Sequence, residues 1–274
     1  MSTRPGDALR AELATALMFL TRLPVYGMGS GEAAVLSRAT RWFPLVGAVV
    51  GMALAGTAWL ALAALPPAPA VVLVLVIGVL ITGAFHEDGL ADVADSAGAF
   101  DIERKLSIMR DSRVGTYGAL GLLLLVLAKY TLLLSLTAPT APLFAALIAA
   151  HVASRWSSVW LMARIGYARP EAANRVVADG VTDRRLAESV AVAMACLLLI
   201  GVVSGEAKVA AMALICTPVV ATLVALAGGH GCTRAFGGIT GDCLGAVNQL
   251  VEVAVLMAFV VAFAGPLAGM PSGA

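Results

Sequence analysis

Charge is what this sequence has least of. Only 13% of its 274 residues are Asp, Glu, Lys or Arg, about half the share found in an ordinary soluble domain. That shortage excludes a disordered tail and argues against a water-soluble globule. A surplus of one sign is missing too. With 18 basic and 17 acidic residues the net charge is +1, so no basic field points to nucleic acid. Cysteine is sparse. The four cysteines have no Cys-x-x-Cys spacing, which leaves neither a disulfide framework nor a zinc site. The N-terminal stretch lacks a small-residue cleavage site, so no signal peptide is expected.

What is present is apolar surface: 60% of the residues are hydrophobic and the mean hydropathy is +0.94. Seven stretches have the length of a membrane-crossing helix: roughly Phe43–Leu65, Ala68–Phe85, Tyr117–Ala138, Ala141–Ala163, Leu186–Gly205, Val209–Gly228 and Val247–Leu267. Ala8–Thr21 reads as an interfacial helix instead. The expected fold is all-α: a polytopic membrane bundle of about seven helices forming one domain over residues 1–274. Within it, 1–42 is a cytoplasmic or interfacial segment, 43–267 the bundle and 268–274 a tail. With these spans, 15 of the 18 basic residues fall on one side, and Lys129 and Arg155 fall inside spans. The positive-inside rule makes the crowded side cytoplasmic.

The acids are more sharply placed. Seven of the 17 lie between Glu87 and Asp111, beginning at the end of the second span, where carboxylates are costly unless they hold a cation. In His86-Glu87-Asp88-Gly89-Leu90-Ala91-Asp92-Val93-Ala94-Asp95, the residues Asp88, Asp92 and Asp95 stand at i, i+4 and i+7. On a helix they share one face and repel each other, so a hard divalent ion such as Mg²⁺ would stabilise it. A solvated juxtamembrane helix is the blander reading. Glu87 points about 100° from Asp88 and is the weaker candidate. His86 reads equally as a general base or as an interfacial histidine. Arg110 and Arg113 follow in one basic loop, suited to a phosphate held over a metal or to anionic lipid. Arg155 reads as a phosphate ligand, a snorkelling cation or the partner of an acid.

A second polar motif follows the sixth span. Gly228-Gly229-His230-Gly231 and Gly237-Gly238-Ile239-Thr240-Gly241-Asp242 read as one glycine-dense loop. Gly238 would free backbone N–H groups for an anion, and Thr240 and Asp242 would add oxygen ligands. Close helix packing is the alternative for the glycines. By topology this loop lies on the same side as the acidic helix, where Asp242 would complete a metal site or act as a base.

Taken in order, Phe19-Leu20-Thr21-Arg22-Leu23-Pro24, Phe43-Pro44-Leu45-Val46-Gly47, the His86–Asp95 run, Ile108–Gly118, Tyr167-Ala168-Arg169 and Gly237–Ala246 resemble the cobalamin synthases, the adenosylcobinamide-GDP ribazoletransferases. The resemblance runs from Phe19 to Glu252. It implies a Mg²⁺-dependent enzyme of the bacterial inner membrane with its active-site loops cytoplasmic. Such an enzyme joins adenosylcobinamide-GDP to α-ribazole or its 5′-phosphate and releases GMP. It also implies metal and phosphate roles for Asp88, Asp92, Asp95 and Asp242, a diphosphate clamp from Arg22, Arg110 or Arg113, and Asp242 or His86 as proton acceptor. The chain departs from the family at Gln249, often an acid there, and at Ser96, often glycine. Partners would be those two substrates and the lipid bilayer, with homo-oligomer formation left open. The rival readings are a CDP-alcohol phosphotransferase, whose pattern wants an arginine where Asp92 stands, and a cation-coupled transporter, which would carry its acids at midspan.

Overall fold

The computed structural model describes residues 5–25, 29–138, 140–168 and 173–264. Pro139, Arg169 and the 268–274 tail lie outside them. Among the described residues the regular structure is helix alone, with one isolated parallel bridge, Tyr167 to Ile239. In order the helices are α1 Pro5–Leu20, α2 Ala33–Ala39, α3 Phe43–Ala64, α4 Pro67–Thr82, α5 Phe85–Ser96, α6 Ile102–Ile108, α7 Thr116–Ser135, α8 Thr140–Arg164, α9 Ala173–Asp179, α10 Asp183–Ser204, α11 Ala207–Ala211, α12 Thr217–Phe236 and α13 Gly241–Phe263. The protein is an all-α, polytopic membrane protein.

Each of the seven expected spans overlaps helix over its described residues, but the helices differ in kind. Five segments are long and apolar enough to cross a membrane alone: Ala33–Ala64, Thr116–Ser135, Asp183–Ser204, Ala207–Phe236 and Gly241–Phe263. Within the fourth of these, a wider π turn over Met212–Cys216 joins α11 to α12. The pair α4 and α5, bent by 91°, makes a sixth as a broken span. The expected fourth span, α8, is long enough but too polar to join them. It carries His151, Ser154, Arg155, Ser157 and Ser158, all buried, because it is a central helix whose polar face turns towards other helices rather than lipid.

Two glycines set its closest contact. Gly47 and Gly51 stand four apart on α3, and a Cβ at either would meet the α8 backbone: at His151 for Gly47, and 2.5 Å from Ile148 Cα for Gly51. This is the small-xxx-small packing expected between helices in lipid. Gly47→Val should therefore lower the thermal unfolding midpoint in detergent by an amount equivalent to about 1–3 kcal/mol. Gly56→Val should not, since nothing lies within 4 Å of its Cβ position.

The second span ends before the expected Phe85. Gly83 (φ 67°) caps α4 in the left-handed region and Ala84 (φ 58°) follows it there. Two successive left-handed residues turn the chain sharply, and Arg22 braces the elbow: its N–H donates to Ile81 O at 2.7 Å and its side chain lies against Gly83.

The glycine-dense loop is also shorter than expected. Gly228–Gly231 are helical and belong to α12. A Cβ on Gly228 would stand 2.6 Å from Val247, and one on Gly229 would press on Ile165 and Leu161. These glycines serve close helix packing, and the actual turn is Gly237–Thr240.

Candidate active site

Two of the sequence motifs meet backbone to backbone. A Cβ on Gly89 of α5 would lie 2.8 Å from Asp242 O, and one on Gly245 of α13 would lie 3.1 Å from His86 O. One glycine on each helix thus lets α5 rest directly on the first turn of α13. Thr240 starts that turn. Its hydroxyl accepts from Cys243 N–H at 3.2 Å, an ordinary N-cap, and donates to Asp242 Oδ2 at 3.3 Å. So the Thr240 oxygen expected to bind a ligand is occupied in capping. Gly238 is also redirected: it is buried against the backbone of Gly166 and Ala168, where the Tyr167–Ile239 bridge forms.

The acidic face splits. Asp88 is exposed and Asp92 half-buried on one side of α5. Asp95 is turned to a different task. Its two carboxylate oxygens accept from Gly115 N–H and Gly118 N–H, both at 2.7 Å. It therefore caps the N-terminus of α7 from another helix, where a negative charge is favoured. The spacing of the Gly-Thr-Tyr-Gly run follows from this: a Cβ at Gly115 would fall 2.6 Å from Asp95 Oδ1, and one at Gly118 would collide with the same carboxylate. Asp95→Ala is expected to lower the unfolding midpoint in detergent by the equivalent of about 1–2 kcal/mol. An unchanged midpoint would contradict the capping role.

His86 is buried at 3% exposure, and its Nδ1 has no hydrogen-bond partner. It lies roughly 160° around the helix from Asp88 and 120° from Asp92, so it faces away from the acid face. Arg113 folds back on Asp111, with Nε 3.0 Å from Oδ1 and Nη2 2.5 Å from Oδ2. These bonds hold the Asp111 carboxyl down at about 2, and they spend much of the Arg113 charge locally. Arg110 is exposed beside them. Arg22 sits at the elbow where α5 begins.

Arg155 is not at this junction surface. It is 1% exposed and joins a charged cluster inside the bundle. Glu252 of α13 pairs with Arg155, with Lys129 Nζ at 2.6 Å and with His151 Nδ1 at 3.0 Å. Lys129 also donates to Gln249 and lies 3.8 Å from Glu87. The cluster lines a cavity of about 660 Å³. Of the readings open for Arg155, the structure takes the acid partner. It also puts one acid, Glu252, well inside a span. Gln249 is accounted for as well, since a neutral acceptor suffices for Lys129 where Glu252 already supplies the charge. The sequence marks Lys129 and Arg155 as cations inside spans but does not point to His151. The available signal was electroneutrality: mid-span Lys129 and Arg155 both need an acid, and Glu252 is the acid well inside α13, away from Asp242 at its start.

Among the described residues no three His, Cys, Asp or Glu side chains gather so as to hold a metal ion by themselves. What the junction offers is the Asp88/Asp92 pair, one helical turn apart on α5, whose helix abuts the Asp242 backbone. That set fits Mg²⁺, which commonly takes one or two carboxylates and completes its shell with water and substrate phosphates.

The family model for cobalamin-5-phosphate synthase matches residues 12–260. An adenosylcobinamide-GDP ribazoletransferase of Ralstonia nicotianae is 40% identical over 88% of this chain and 91% of its own length. One from Shewanella amazonensis is 39% identical over 88% and 92%, and one from Escherichia coli O157:H7 is 40% identical over 88% and 96%. No solved structure matches. With the model covering nearly the whole chain, and the two polar motifs brought into contact, this chain belongs to the cobalamin-5-phosphate synthase family.

Proposed function

We propose that the chain joins adenosylcobinamide-GDP to α-ribazole or α-ribazole 5′-phosphate, releasing GMP and closing the nucleotide loop of a B12 coenzyme. The observation that carries this reading is the contact of the Asp88/Asp92 helix with the Asp242 turn through Gly89 and Gly245. Chemistry at a diphosphate needs carboxylates for a metal beside a group that can take a proton, and the backbone contact of these two motifs supports that reading.

Asp88 and Asp92 would hold Mg²⁺, with Asp242 alongside. The bound ion would neutralise the charge that develops on the phosphates. Arg110 and Arg22 bind and orient the diphosphate. The ribazole 3′-hydroxyl attacks the phosphorus on the cobinamide side. Its O–P bond forms as the bond from that phosphorus to the bridging oxygen breaks, and GMP departs. Asp242 accepts the hydroxyl proton. Facing away from the acids, His86 is left out of the proton step. The excess of basic residues at this edge supports a cytoplasmic orientation in the bacterial inner membrane.

The test uses purified chain in nanodiscs with adenosylcobinamide-GDP, α-ribazole 5′-phosphate and Mg²⁺, followed by mass. The expected products are GMP and a corrinoid enlarged by the ribazole nucleotide. CMP released from a CDP-alcohol, with no GMP from the corrinoid, would move the chain to the rival chemistry.

A further inference from the structure

Beside the junction lies a second cavity, partly open to its surroundings. No charged side chain lines it. Its walls are aromatic and aliphatic: Phe19, Phe43, Phe85 and Tyr167 contribute beside Met162 and Leu244, Ser158 adds one hydroxyl, and Gly241 closes one side next to Asp242. Phe19 stacks on Phe43 with centroids 5.8 Å apart and meets Phe85 edge-on at 5.4 Å. Phe85 in turn meets the His86 ring at 5.2 Å. His86 lines the same cavity, 3% exposed, with Nδ1 unpartnered. A buried ring nitrogen without a partner is costly and calls for one from a ligand.

We propose that this cavity receives the aromatic base of the ribazole substrate, with His86 Nδ1–H donating to the free ring nitrogen of that base. The inference rests on the transferase reading and adds to it the site of one substrate. The chemistry selects this occupant. A methylated benzimidazole is flat and bicyclic. Once joined to ribose it has a single nitrogen able to accept a hydrogen bond, which one imidazole N–H satisfies. Flat rings are favoured by walls in stacked and edge-on geometry. Guanine carries several donors and acceptors that a largely apolar lining would leave unpaired. A lipid chain would leave Nδ1 unsatisfied. With the base against Gly241, its ribose comes out beside Asp242, the proton acceptor of the proposed transfer.

His86 is then a specificity residue rather than a base. The test measures equilibrium binding of radiolabelled α-ribazole and of adenosylcobinamide-GDP to the full chain in nanodiscs, together with kcat and KM for each. For His86→Phe, α-ribazole is expected to bind about tenfold more weakly, the loss of one buried hydrogen bond, with adenosylcobinamide-GDP binding unchanged and kcat within about twofold. Leu244→Trp, which fills the cavity from α13, should raise the α-ribazole KM in the same selective way and serves where His86→Phe folds poorly. Unchanged α-ribazole binding in both variants, equal weakening for both substrates, or loss of kcat at unchanged KM would overturn the assignment. A wild-type chain that releases no GMP would instead overturn the transferase reading beneath it.

Discussion

Asp88→Ala is expected to reduce GMP release by about 10³-fold or more, equivalent to roughly 4 kcal/mol of transition-state stabilisation, while leaving the fold intact. Asp88 is exposed on α5, and an exposed side chain of this kind changes stability by about 0.5 kcal/mol or less when truncated. If anything, removing one of two like charges spaced i, i+4 relieves repulsion in the metal-free helix. Asp92→Ala should fall in the same range, whereas Asp95→Ala should act on stability. The three acids are equivalent by spacing, and the structure separates them: Asp95 caps α7, while Asp88 is exposed and Asp92 half-buried. Turnover assays beside thermal unfolding of each variant check it. Asp88→Ala with wild-type turnover in nanodiscs would remove the metal role from this face.

The second large effect is on the fold. Glu252→Ala should destabilise the chain by about 3–5 kcal/mol, the cost of leaving buried charge uncompensated. Glu252 is 2% exposed, Arg155 1% and Lys129 9%, so little of either cation reaches water. Glu252→Asp keeps the charge and should lose less. Unfolding midpoints in one detergent, compared across the two variants, check this. Equal midpoints for wild type and Glu252→Ala would mean that water in the 660 Å³ cavity already solvates the cations. Because Glu87 faces Lys129 at 3.8 Å, the same cluster also ties the back of the acidic helix to the bundle.

Much of this site was legible because it is local. The Asp88/Asp92 pair obeys helical spacing, and the charge asymmetry and long apolar runs fix helices without reference to their neighbours. What was not legible depends on distant partners. Nothing near Asp95 signals that a helix end 20 residues on competes for its carboxylate. The run at Gly228–Gly231 reads as a turn by the habits of water-soluble chains, yet within a bundle it is the surface on which Val247 and Leu161 pack. Ala84 adopts a left-handed conformation that no residue preference announces. The polar face of α8 lowers its apolarity below that of its neighbours because its partner is Glu252, about a hundred residues away.

The most direct test of the central claim is GMP release from adenosylcobinamide-GDP by the purified wild-type chain, measured against Mg²⁺ concentration with and without α-ribazole 5′-phosphate. The account requires release that saturates with Mg²⁺, stops in excess chelator, and matches one-for-one the corrinoid converted, with none in the absence of the ribazole. GMP released at full rate in chelator, or without the acceptor, would contradict it.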